Sequence, residues 1–277
     1  MLVETHVHVV AQDQQKYPRH LAQHSGLRGW VRDCTAEDLL QFMDGAGIDR
    51  AVVVQGYGAY GGDNSYLADS VARYPNRFAG VFALDFLQSD APEQIAYWAG
   101  ERGLHGARIV TLTEPELMLN DSRMVPAIER VAALRIPLCV LTQFHQLPLM
   151  AALLERFPSV TFALEHMGMP KLSGGPPYKG VEPLFDLGRF PNCYVKFSTV
   201  SIDGAMAGRS TAAEFFPRLI DRFGARRLMW GSNFPATYDR SLKEQVELAR
   251  EQLAFLPAEE QRWIFGETAM SLWPTVR

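Results

Sequence analysis

Short runs of β-branched and aromatic residues recur along the chain, and most are followed by a longer stretch with apolar positions three and four residues apart. The strand-like runs cover residues 2–9, 50–54, 78–84, 106–110, 137–141, 160–164, 193–197 and 227–230, and helical spacing covers 36–46, 64–73, 125–134, 147–156, 212–223 and 241–253. Strands alternating with helices imply parallel strands joined by right-handed crossovers, and eight such units can close on themselves. The predicted fold class is therefore α/β, a (β/α)8 TIM barrel, with a doubly wound open sheet as the alternative. Local signals agree: Thr35 with Glu37 and Asp38 forms a helix start, and Gly47 follows as a stop.

A chain of 277 residues suits one barrel domain, for which about 250 residues is typical. Two connections stand out. Residues 11–35, rich in polar side chains, Arg and His, read as an insertion after the first strand that would cover the barrel mouth. The Pro/Gly-rich stretch 173–177 sits between a strand and a helix and reads as an active-site loop.

Composition narrows the function. The net charge of -4 is spread over interspersed acidic and basic residues, with no basic block to neutralise a run of phosphates, so a nucleic-acid partner is not expected. Cys34, Cys139 and Cys193 are odd in number and outside any C-x-x-C pattern, which points away from disulfides and thiolate metal sites and toward a reducing cytoplasm. No apolar run approaches the roughly 18 residues of a membrane span, and neither export nor membrane insertion is expected. Apolar residues on the outer helices are compatible with a homodimer, although barrel helices bury one face in any case.

The chemistry gathers at predicted strand ends, where barrels of this kind place their sites. In Glu4-Thr5-His6-Val7-His8 the period of two directs Glu4, His6 and His8 to one face and Val3, Thr5, Val7 and Val9 to the other. Two imidazoles inside a barrel mouth suit a divalent metal, and the plain alternative is a hydrogen-bonded pair. His166 ends another apolar strand and completes a three-nitrogen cluster with His6 and His8, the predicted metal set. Asn233 occupies the matching place after the last strand. A neutral amide cannot take a proton from water as a carboxylate can, so Asp239 or Glu4 is the candidate base. Substrate contacts are expected from Gln55, Tyr57, Tyr60, Arg108, Gln143, His145, Lys196 and Ser198. Arg108 can grip a substrate carboxylate bidentately or pair with a local acid, and Lys196 can do either. His20, His24 and His105 read as surface or loop residues.

These motifs, with Asp63-Asn64-Ser65-Tyr66-Leu67, Asn76-Arg77-Phe78-Ala79-Gly80-Val81, Gly106-Ala107-Arg108, Glu165-His166-Met167-Gly168-Met169-Pro170, Tyr194-Val195-Lys196-Phe197-Ser198, Gly231-Ser232-Asn233-Phe234-Pro235 and Gly266-Glu267-Thr268-Ala269, occur in the order found in a known family. Nearly end to end, the chain resembles the amidohydrolase-related proteins (amidohydrolase 2), which include 2-pyrone-4,6-dicarboxylate lactonase, sugar-acid lactonases and aromatic-acid decarboxylases. The resemblance implies an amidohydrolase-type barrel in which His6, His8 and His166 line the active site. It also implies a hydrolase that opens a lactone or similar ester of a small anionic, carboxylate-bearing substrate. Some members hold one divalent metal such as Zn or Mn, and others act without metal. The family usually carries Asp where this chain has Asn233, and more often Asp where it has Glu4. The competing expectations are a metal-dependent decarboxylase of a hydroxy-aromatic acid and a non-catalytic small-molecule-binding barrel.

Overall fold

The computed structural model describes residues 1–20, 32–113 and 115–276. Eight strands, β1 (Val3–Val7), β2 (Arg50–Val54), β3 (Phe78–Ala83), β4 (Gly106–Val110), β5 (Leu138–Leu141), β6 (Phe162–Leu164), β7 (Cys193–Ser198) and β8 (Leu228–Gly231), follow one another in chain order in a single sheet. Every neighbouring pair along that order is parallel. The barrel replaces the open-sheet alternative, because β8 returns to lie against β1.

Helices alternate with the strands as the apolar spacing predicts. Ala36–Ala46 begins at a capping box in which Thr35 accepts from Asp38 N and Asp38 accepts from Thr35 N, each at 3.0 Å. It ends at Gly47, whose φ of 69° is a left-handed conformation that glycine adopts without penalty. Several short helices, Ala91–Ala96 and Thr199–Ala205 among them, lack enough turns to show a periodic signal in sequence.

One face of the strands packs on the helices and the other fills the barrel. Val3, Val52, Val54, Ala79, Val81, Cys139, Ala163 and Met229 form the interior cluster together with Trp273, which plugs the end where the strands begin. All three cysteines are free and buried. Among the described residues no helix is long and apolar enough to cross a membrane.

The interior position of Val3 corrects the expected alternation of the first strand. Glu4 pairs with Ala51 but Val7 pairs with Val53, so β1 carries one more residue than β2 over this stretch, a β-bulge. Below the bulge Val3 faces inward; above it Val7 and Val9 pack outward with Leu39 and Met43. A slip of one residue exchanges the two faces of a strand. Here it leaves His6 and His8 aimed into the barrel.

The bulge is held from β8. The buried Glu4 carboxylate accepts from its own strand's His6 N at 2.7 Å and from Ser232 N at 2.9 Å. Thr5 Oγ1 donates to Trp230 O at 2.6 Å, Asn233 N to His6 O at 2.7 Å, and His8 N to Phe234 O at 2.9 Å. Burial pushes the Glu4 carboxyl up to about 7 against the opposing pull of these N–H donors.

The 11–35 insertion has a closed base. Val10 and Cys34 exchange backbone hydrogen bonds at 2.7 and 2.9 Å, Arg19 pairs with Asp33, and Arg32 stacks 4.5 Å from the Tyr238 ring centroid. The predicted cover over the mouth falls partly on residues 21–31, outside the described residues.

The seam leaves no room at Gly231, where a Cβ would come within 2.7 Å of His6 N and Cβ. Gly231→Ala is expected to cost about 1–3 kcal/mol by chemical denaturation, the usual penalty of overpacking. An unchanged unfolding midpoint and slope would show that the seam yields without strain.

Candidate active site

Three imidazoles meet at the end of the barrel where the strands finish. The His6 ring lies 4.9 Å from that of His8 and 4.6 Å from that of His166, centroid to centroid, edge to face in both cases. His6 and His8 are buried, while His166 is half-buried at the mouth.

His166 reaches this place through an unusual turn after β6. His166, Met167 and Met169 all have positive φ, at 51°, 58° and 57°, and Gly168 at 68° completes the run. Non-glycine residues held in such regions cost on the order of 1–3 kcal/mol each and concentrate at functional sites. Asn233, at 66°, is a further case, after β8. His166 Nδ1 lies 2.8 Å from Ser198 Oγ at the end of β7.

His8 Nδ1 lies 2.8 Å from the carbonyl of Val54, and Nε2 lies 3.2 Å from Asn233 Oδ1. The His6 ring is fully buried, and neither of its nitrogens has a hydrogen-bond partner. Burial holds all three rings below the usual histidine range, assisted at His8 and His166 by the Arg108 guanidinium and at His6 first by the other two histidines. The His8 value falls to about 3, so these rings are neutral at pH 7 and present lone pairs.

Beside the histidines lies a buried ion pair. Arg108 donates from Nε and Nη2 to Glu165 Oε2 at 2.9 and 2.7 Å and from Nη1 to Gln55 O at 3.1 Å. The two-pronged grip expected for a substrate carboxylate is thus made to Glu165, leaving one further N–H on each of Nη1 and Nη2. Glu165 Oε1 has no hydrogen-bond partner and sits 3.5 Å from His6 Nδ1.

The remaining predicted residues divide. Ser198 belongs to the cluster through His166. Tyr57 is half-buried on an apolar lip with Val110, Leu112 and Leu141. Gln55 spends its side chain on the carbonyl of Asp63, and the Tyr60 hydroxyl accepts from Ala11 N at 2.7 Å, so both brace loops. Gln143 is half-buried just beyond β5. His145, its side chain 55% exposed, pairs with Glu116 at 3.3 Å on the surface. Lys196 donates to Thr5 O at 2.8 Å and stands 5.0 Å over the Trp273 ring, facing the plugged end instead of the mouth. Asp239 is 61% exposed beside Arg240 and Glu4 is consumed by the seam, so neither candidate base stands free in the cluster. His105 accepts from Gly80 N at 3.1 Å as a structural residue, His20 lies at the surface, and His24 lies outside the described residues.

Glu165 is the site residue that sequence reasoning passed over. It immediately precedes His166, and strand alternation from the interior Ala163 places it inward. Thr237 and Gln245 were also passed over: Asn233 Nδ2 lies 3.2 Å from Thr237 Oγ1, and buried Gln245 donates to Thr237 O at 3.0 Å. The donor atoms of His6, Glu165 and His166 all lie within 4.8 Å of one another. With the partnerless nitrogens of His6 and Oε1 of Glu165, this set could hold a divalent metal, and it shares His6 and His166 with the predicted trio.

The family model described as amidohydrolase matches residues 3–275. L-fucono-1,5-lactonase of Burkholderia ambifaria is 28% identical over 209 residues, which cover 74% of this chain and 71% of that protein. Among solved structures, one described as a 2-pyrone-4,6-dicarboxylic acid hydrolase from Pseudomonas putida superposes with a TM-score of 0.79 at 21% identity, covering 99% of this chain and 97% of its own. An amidohydrolase from Burkholderia multivorans with bound zinc gives 0.78 at 22% identity, covering 99% of both chains. At these identities the structural matches establish a shared fold.

Removing one member of a buried ion pair strands the other charge. Glu165→Ala is expected to lower unfolding free energy by about 3–5 kcal/mol. The double change Arg108→Met with Glu165→Leu should lose much less, and additive losses in a double-mutant cycle would show that the pair is not coupled.

Proposed function

Since the chain belongs to the amidohydrolase family, we propose that it is a hydrolase that opens the lactone ring of a small hydroxy acid, a carboxylate-bearing or sugar-acid lactone. The observation that carries this reading is the convergence of His6, His8 and His166 around Glu165 at the mouth of the barrel. The lactonase relative and the shared fold with a pyrone-dicarboxylate hydrolase support it.

The chemistry requires a water oxygen to attack the lactone carbonyl carbon, the ring C–O bond to break, and the departing alkoxide to gain a proton. Glu165 Oε1, a buried carboxylate oxygen with no hydrogen-bond partner, is positioned to take the proton from water. His6 and His166, both neutral, orient the water and the carbonyl. The remaining N–H groups of Arg108 and the half-buried Tyr57 hydroxyl meet the polar groups of the substrate, while the lip of Val110, Leu112 and Leu141 covers its carbon face. A divalent metal, when bound, would be held by His6, Glu165 and His166, with Glu165 Oε1 then a ligand instead of the base, and it would polarise the carbonyl and lower the pKa of water.

Two measurements test the proposal. A panel containing L-fucono-1,5-lactone, other sugar-acid lactones and 2-pyrone-4,6-dicarboxylate should show turnover as proton release without carbon dioxide. Carbon dioxide release from a hydroxy-aromatic acid would instead establish the decarboxylase, and binding without turnover across the panel would leave a binding barrel. On the best substrate, His166→Ala should lower kcat/KM by about 100- to 1,000-fold, the usual loss on removing a charge-stabilising group, with circular dichroism unchanged. Near-normal turnover would remove His166 from the mechanism.

Chain incubated with zinc and desalted is expected to retain one equivalent by elemental analysis, and His6→Ala to retain none. Equal zinc in both would place the metal elsewhere.

A further inference from the structure

At the end of the barrel opposite the histidines, where the strands begin, lies a second cavity of about 520 Å³. Its walls come from places far apart in the chain: Arg135 at the end of the helix Val125–Leu134, Thr161 just before β6, Tyr194 in β7, and the C-terminal segment at Leu272 and Pro274. The volume is that of a pocket for a small organic molecule. This face of a barrel ordinarily serves stability, but the polar groups here are not spent on holding the fold. Among the described residues, Arg135 has no carboxylate partner, the hydroxyls of Ser159, Thr161 and Tyr194 make no hydrogen bond to the protein, and no acidic side chain lines the cavity. Arg135 is also an unusual residue for its place. It follows the helix with φ 53° and ψ 35°, the left-handed conformation that glycine adopts most readily at a helix end. An arginine there carries backbone strain, and such strain concentrates where a side chain serves a function.

We propose that this cavity is a binding site for a small hydroxycarboxylate, separate from the histidine pocket. The Arg135 guanidinium meets the carboxylate in a two-pronged, charge-assisted contact. The three free hydroxyls, each able to donate or accept, meet hydroxyl groups of the ligand, and Val131, Ile136 and Val160 cover its carbon chain. A phosphate dianion calls for more than one cation, and a neutral sugar would leave the guanidinium unpaired, so a singly charged hydroxy acid matches the groups on offer. Bound there, it bridges the end of the helix Val125–Leu134 to the C-terminal segment that carries the Trp273 plug. A molecule that binds only the folded chain stabilises it by mass action, so the ligand would firm the floor of the barrel. Nothing in this site depends on what the histidines catalyse.

Sodium gluconate is the probe, with glucitol as its uncharged counterpart and sodium chloride at matched ionic strength as the control. In amide spectra of the 15N-labelled full chain, gluconate should shift Arg135, Thr161, Tyr194 and Leu272 saturably, while glucitol and chloride leave them in place. Arg135→Gly keeps the left-handed helix end and removes the guanidinium, so it should fold as stably as the parent and bind gluconate at least about 10-fold more weakly, the scale of hydrogen bonds to a charged group. Thr161→Val removes one hydroxyl at nearly constant volume and should weaken binding by a smaller factor. Gluconate is also expected to raise the thermal midpoint of the parent and to leave that of Arg135→Gly unchanged. An absence of shifts at these amides, equal shifts with glucitol, or the parent's affinity retained in Arg135→Gly would overturn the proposal. If neither variant folds, the comparison of gluconate with glucitol on the parent chain decides it.

Discussion

Everything above the floor of this barrel depends on where one carboxylate sits. Glu4 accepts backbone N–H groups from His6 on its own strand and from Ser232 on the last strand, and in doing so it holds the bulge of the first strand at the point where the barrel closes. The bulge restores an inward direction to His6 and His8 after Val3 has already faced inward. Burying a carboxylate is costly unless it is well bonded. The rise of Glu4 to about 7 shows that desolvation outweighs the donors here, and the geometry of the histidines is obtained in return.

The interior above Trp273 contains two acids, Glu4 and Glu165, and two bases, Lys196 and Arg108. Arg108 holds Glu165 by two bonds, while Lys196 reaches the carbonyl of Thr5 and the Trp273 ring below the histidines. Burial, with the Arg108 guanidinium second at His8 and His166, leaves the histidines neutral and gives them lone pairs at ordinary pH. The pairing with Arg108 directs one oxygen of Glu165 at His6 with nothing bonded to it. The strained turn at His166 to Met169 delivers the third ring to the same place.

The barrel and the three converging histidines were legible because strand ends, helix caps and the order of the elements are local signals. What was not legible came from contacts distant in sequence. The bulge at Glu4 depends on Ser232, so strict alternation misassigned Val3. Of the two roles open to Arg108, pairing with a local acid is the one realised, and only the identity of that acid, Glu165, was hidden, while Lys196 turned to the floor and meets a backbone carbonyl and an aromatic ring instead of an anion. Asp239 and His145 have the right chemistry at strand-end loops yet point to solvent, a direction that sequence spacing does not encode. Glu165 was hidden by proximity to the more conspicuous His166.

The bulge divides the first strand into two parts that answer to different masters. Below it, Val3 is set by the packing around Trp273; above it, His6 and His8 are set by the hydrogen bonds of Asn233 and Phe234. Replacing residues of the lower core would then tune how firmly the molecule holds together without re-aiming the imidazoles. Changing the turn after the eighth strand moves both rings at once, so in this architecture robustness and chemistry can drift apart through separate substitutions.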